Sequence, residues 1–143
     1  MSPERGFAGK LTSGRLKKVA SSNRLVESFY DLRVWQESVE LAKSIELIYD
    51  LRGIRNQRHF DLRWTIKTSA LDLPAKIARG RAAKSRTGYR TSVTDAAQTL
   101  EDLRSKISIS HELGIVKARL AEPILDRMNK LQVMLSSLRR KLS

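Results

Sequence analysis

A chain of 143 residues with a net charge of +13, no cysteine and 41% hydrophobic residues has the size and composition of one soluble globular domain, not two. The missing thiols exclude disulfide scaffolds and thiolate metal sites and point to a reducing cytoplasm. No apolar run approaches the ~18 residues of a spanning helix, and the first residues lack the apolar core of a secretory signal, so no membrane association is expected. The charge is unevenly spread: residues 52–94 hold eleven basic and two acidic side chains, whereas residues 29–51 hold two and five. A positive field focused in this way attracts polyanions, nucleic acid first, with anionic membrane or an acidic protein behind it.

Residues 1–28 carry Pro3, Gly6, Gly9, Gly14 and several serines, keep no period, and read as a mobile basic arm. Their "GKLTSGRLKKVASSNR" is as rich in base and poor in acid as some transit peptides, which makes organelle import the alternative to the cytoplasm. In "FYDLRVWQESVELAKSIELIYDL", Asp31 is placed to cap a first helix, and Trp35, Val39, Ala42, Ile45 and Tyr49 recur at three and four residues. Val34, Leu41 and Ile48 form a flanking stripe at spacing seven, wider than one contact needs, and are the predicted subunit interface. Gly53 and the polar cluster around it end the pattern.

A second helix is predicted from about His59 to Ala78, with Leu62, Ile66, Ser69 or Ala70, Leu73 and Ile77 on one face and a kink or break at Pro74. After Gly80, Ser85 is placed to cap a third helix whose Tyr89, Val93, Ala96, Leu100, Leu103 and Ile107 form a bundle seam. Gly114 suits a left-handed stop. A last helix carries Leu120, Ile124, Met128, Leu131, Leu135, Leu138 and Leu142, with Pro123 at a kink or in the first turn and "RRK" at the negative end of the helix dipole. Four such segments with short connections predict an all-α, antiparallel up-and-down four-helix bundle over residues 29–143.

The segments "FYDLRVWQESVELA", "IKTSALDLPAKIARG", "SRTGYRTSVTDAAQTLEDLRSKI" and "ELGIV" together resemble the four-helix-bundle family named for proteins encoded by intervening sequences in 23S ribosomal RNA genes. Asp31, Leu32, Val34 and Trp35 match the opening of that family's first helix, and Leu73, Pro74, Ala75, Ile77, Ala78 and Gly80 match an "IPANIAEG"-like close of the second. Lys76 and Arg79 stand where the family usually has asparagine and glutamate, and Asp72 replaces a small polar residue. The resemblance implies a closed left-handed bundle, a ring-like homo-oligomer, typically a pentamer, and an association with RNA. A branch related in fold, the accessory proteins of diversity-generating retroelements, couples a basic pentamer to a reverse transcriptase and its RNA.

The candidate nucleic-acid contacts are Arg55, Arg58, Arg63 and Lys67, with Arg52, on the loop and helix before, and Lys76, Arg79, Arg81, Lys84, Arg86 and Arg90 around the next connection. They form either two patches or one stripe along the second helix, gripping phosphate with guanidinium forks and helix N-terminal amides. The competing interpretation is a solvated face. Tyr89 lies on the seam, which assigns it to the core ahead of base stacking, and Trp35 and Trp64 are read as core or subunit-interface residues.

No catalytic constellation emerges. His59 and His111 are far apart and have no cysteine partner, so neither a metal nor another cofactor is expected. Arg104 and His111 have the Arg-to-His spacing of helical HEPN-type ribonucleases, but the spacing is loose and Ser105 follows the arginine. Asp95, Glu101 and Asp102 read as the exposed side of the third helix. The expected function is non-enzymatic RNA binding by a homo-oligomer, with an adaptor docking an acidic partner such as a reverse transcriptase as the alternative.

Overall fold

The computed structural model describes residues 25–49 and 59–143. These form four helices and no strand: α1 (Leu25–Ile48), α2 (Phe60–Ala82), α3 (Arg86–Glu112) and α4 (Ala118–Lys141). Val34–Ser143 is one compact unit, and the start of α1, up to Arg33, belongs to another. The predicted arm lies outside the described residues up to residue 24, as do Arg52, Gly53, Arg55 and Arg58. Because α1 begins at Leu25, Asp31 sits within the helix and not at its cap.

Each helix contributes one buried line at alternating spacings of three and four. On α3 it is the predicted one, Tyr89 through Ile107, extended by Ser110. On α2 it is Ile66, Ala70, Leu73, Ile77 and Gly80. On α4 it is Ala121, Ile124, Met128, Leu131, Leu135 and Leu138, with Leu142 beyond. Full burial of each Leu or Ile contributes about 1.5–3 kcal/mol, so these lines dominate the stability.

Several expectations are corrected. α1 buries Val34, Ser38, Leu41, Ala42 and Ile45, with Tyr49 just past its end, so Ala42, Ile45 and Tyr49 are core as expected; Val34 and Leu41 are also core side chains with no surface left for a second subunit, and Ile48 is half-buried. Val39, expected on the buried line, is only half-buried, as is Trp35, read as a core or subunit-interface residue. On α4, Leu120 is 42% exposed and Ala121 takes its place. Pro74 neither ends nor breaks α2, which runs on to Ala82, because Ile66 and Ala70 before it and Leu73 and Ile77 beside it hold both halves to one seam. That packing outweighs one lost backbone donor. Pro123 lies inside α4, beyond its first turn.

The connections are built as the sequence suggests. Ser85 Oγ accepts from the Gly88 amide at 2.9 Å, capping α3, and the Ala83 amide closes α2 on the Gly80 carbonyl at 3.0 Å. Gly114 takes φ +77° after α3, where its amide reaches the His111 carbonyl at 3.0 Å.

Between helices, Lys67 of α2 pairs with Glu46 of α1 at 3.1 Å, and Lys130 of α4 with Glu37 of α1 at 3.3 Å. Arg104 of α3 meets Asn129 of α4 at 2.5 Å. In the core the hydroxyl of Tyr49, just past α1, pairs with Ser110 Oγ of α3, whose own proton goes to the Ile107 carbonyl at 2.8 Å. These are the contacts of a helix bundle.

Candidate nucleic-acid interface

The interface begins with what the chain omits: neither residues 73–94 nor residues 127–143 contain an Asp or Glu. The first stretch ends α2 and starts α3, and the second ends α4. The structure joins them, because Arg86 Nη2 donates to the Lys141 carbonyl at 2.8 Å. Arg79, Lys84, Arg86 and Arg90 are exposed and Arg81 half-exposed at one end of the molecule, and Arg139, Arg140 and Lys141 of α4 arrive beside them, all exposed. Between α3 and α4 at this end lies an open groove of about 690 Å³, lined by Thr87, Arg90, Thr91, Thr94, Asp95, Gln98 and Arg139. Its carboxylate, Asp95, is bound by Lys76 Nζ at 3.2 Å. The Arg90 and Arg139 guanidinium groups and Thr87 and Thr94 thus line one groove near the start of α3, a donor set suited to phosphate oxygens.

The candidates divide. Arg79, Arg81, Lys84, Arg86 and Arg90 come together at this basic end. Lys76 does not share the surface freely, since it also donates to Thr99 at 2.5 Å and its side chain is only 19% exposed. Arg63 stands about 24 Å and Lys67 about 18 Å from Arg79 along the α2 axis, at ~1.5 Å per residue. Lys67 is held by Glu46, and Arg63 turns its buried Nε inward, its positive charge acting on Tyr49. Arg55 and Arg58 lie outside the described residues. Among the described residues the basic surface is therefore one patch at one end and not a stripe along α2.

Sequence reasoning missed Arg139, Arg140 and Lys141 as part of the surface, having spent them on the helix dipole. The signal was the similar length of α3 and α4, 27 and 24 residues, which with a short connection returns the end of α4 to the start of α3. Tyr89 is 3% exposed and belongs to the core. Trp64 is 53% exposed and stacks on Phe60, with ring centroids 6.3 Å apart. Arg104 is engaged by Asn129 and Glu101, and His111 Nδ1 lies 3.2 Å from the Val116 carbonyl. Among the described residues no group of three His, Asp or Glu is placed to hold a metal ion, and no helix is long and apolar enough to cross a membrane.

Residues 30–137 match the family described as 23S rRNA-intervening sequence protein. The chain belongs to that family. No curated protein matches it. Within the 23S rRNA-intervening sequence fold, Gly80 has a physical reason: a Cβ there would stand 2.8 Å from Tyr89 Cδ1, so in the segment that carries the family resemblance α2 packs tightly against the α3 tyrosine ring. The matched range includes Arg79 to Arg90 but stops short of Arg139 to Lys141, so the α4 part of the basic end lies outside it.

Proposed function

We propose that this 23S rRNA-intervening sequence protein is a non-enzymatic, cytoplasmic RNA-binding homo-oligomer whose subunit is an antiparallel up-and-down bundle. The contacts Arg86 to Lys141 and Arg104 to Asn129, which run in opposite directions along α3 and α4, support that arrangement, and the family resemblance supports a ring, typically of five. The observation that carries the RNA reading is the meeting of two acid-free stretches, Arg79 to Arg90 and Arg139 to Lys141, around the α3–α4 groove. Exposed cations such as Arg79, Lys84, Arg90, Arg139 and Arg140 can reach phosphate, and backbone recognition of this kind has weak sequence preference and steep salt dependence. Repetition in an oligomer turns a modest patch into an avid one, because the second contact is intramolecular.

The test replaces Arg79, Lys84 and Arg90 together with Gln and follows structured RNA by anisotropy at several salt concentrations. Three lost phosphate contacts flatten the logarithmic salt slope by about 2 and weaken binding on the order of 10- to 100-fold, with helicity unchanged. An unchanged slope means the arginines are a solvated face. RNA crosslinked in cells should be enriched over a charge-matched control; no enrichment, with an acidic protein recovered instead, favours the adaptor.

A further inference from the structure

Among the described residues two apolar surfaces are exposed apart from the α3–α4 groove. On α2, Phe60, Trp64, Leu71, Ala75 and Ala78 form a second line at helical spacing, roughly 150° around the helix from the buried line, and all are exposed. Leu71 is 63% exposed and Trp64 53%. Asp61 and Asp72, both exposed, flank one side of this line. The other surface is a groove of about 290 Å³ between α1 and α4, lined by Leu47, Ile48, Leu120, Pro123 and Ile124, with Arg119 and Arg127 at its margin. Leu47 is 79% exposed. No α2 residue lines it. Large apolar side chains gathered on a surface mark an interaction site.

We propose that these surfaces are the two halves of one contact: α2 of one copy lays Phe60, Trp64 and Leu71 against the Leu47–Leu120–Pro123 groove of a second copy, with Asp61 and Asp72 facing Arg119 and Arg127. The inference rests on the homo-oligomer reading and names its interface. Charge selects this occupant. Identical chains of net charge +13 repel, and the head-to-tail arrangement sets the acidic side of one surface against the basic margin of the other. Packing α2 against α2 instead would oppose Asp61 and Asp72 to themselves. Because the surfaces differ, the contact is heterologous and closes a ring or runs on as a filament. The ion pair from Lys67 to Glu46, the neighbour of Leu47, sets the Trp64 end of α2 level with the groove. Successive copies then need no shift along the helix axis, which favours a ring, and every basic end falls on the same rim.

The test uses the full chain, freed of nucleic acid, and reads mass by light scattering. The wild type exceeds the 16.3 kDa of one chain. Leu71→Glu and Leu47→Glu each fall toward that mass while keeping wild-type helicity, since both residues are exposed. Mixing the two variants restores a single good contact, from the intact α2 of L47E to the intact groove of L71E, and gives a dimer that stops there. As the chain has no cysteine, L71C mixed with L120C should yield an oxidised dimer that neither forms alone. A wild type of one-chain mass at all concentrations overturns both this contact and the homo-oligomer reading. A wild-type oligomer whose mass L71E leaves unchanged, or variants that fail to complement, overturns the contact alone.

Discussion

Tyr49 places a phenol in the core of a protein that is otherwise a surplus of cations. Burial pushes its pKa above the ordinary value, and the Ser110 hydrogen bond and the nearby Arg63 charge offset only part of that. The folded state therefore keeps a proton that the unfolded chain releases near pH ~10. The stability that the neutral phenol contributes is complete below that pH and is lost as pH rises through the folded pKa. Thermal unfolding should show a falling midpoint above about pH 10, and Tyr49→Phe should flatten the fall at a cost of about 1 kcal/mol near neutrality for the lost hydrogen bond. Neither partner was foreseeable as a pair. Tyr49 fits an apolar line and Ser110 a polar position, and only the fold brings them together across 61 residues of chain.

At the scale of the helix, Gly80 tests whether the approach of α2 to α3 has been read correctly. Alanine is the better helix former by about 1 kcal/mol, so a tolerated Gly80→Ala stabilises. Here the new Cβ meets Tyr89 Cδ1 at 2.8 Å and Ser92 Cβ at 3.0 Å, and the buried tyrosine ring has little room to move. Overpacking at about 1–3 kcal/mol outweighs the propensity gain, and urea unfolding should show a net loss on the order of 1–2 kcal/mol. The α3 and α4 lines, the Ser85 cap and the Gly114 stop were readable because polar residues fill the other positions and a single register survives. α1 was legible only in part: Ala42, Ile45 and Tyr49 are core as read, but its apolar arc holds two overlapping lines, and the rest of the choice falls to Val34 and Leu41 with Ser38 between them. A serine inside the winning line hid it. On α4, Leu120 and Ala121 both fit the spacing before Ile124, and the smaller side chain is the one that turns inward.

At the scale of the molecule, the sequence located the charge on residues 52–94 but not its partner at the end of α4, since proximity between distant stretches is a property of the packing. Connectivity has a further consequence. α2 passes to α3 through Ala83–Ser85, and α3 to α4 through Leu113–Lys117, so contacts among these helices close small loops. The contacts of α1 with Ser110 and Lys130 span 61 and 93 residues. Ordering a longer loop costs more entropy before any contact repays it, so α2 to α4 should assemble first and α1 should join after the rate-limiting step. Stopped-flow kinetics should then find that Leu41→Ala mainly speeds unfolding, whereas Leu100→Ala also slows folding. By the same logic α1 is the first element to open in the native protein. Because Leu47 and Ile48 supply its side of the apolar groove, a neighbour seated there clamps the least cooperative helix shut, and association would lengthen the lifetime of the folded chain more than it changes its shape.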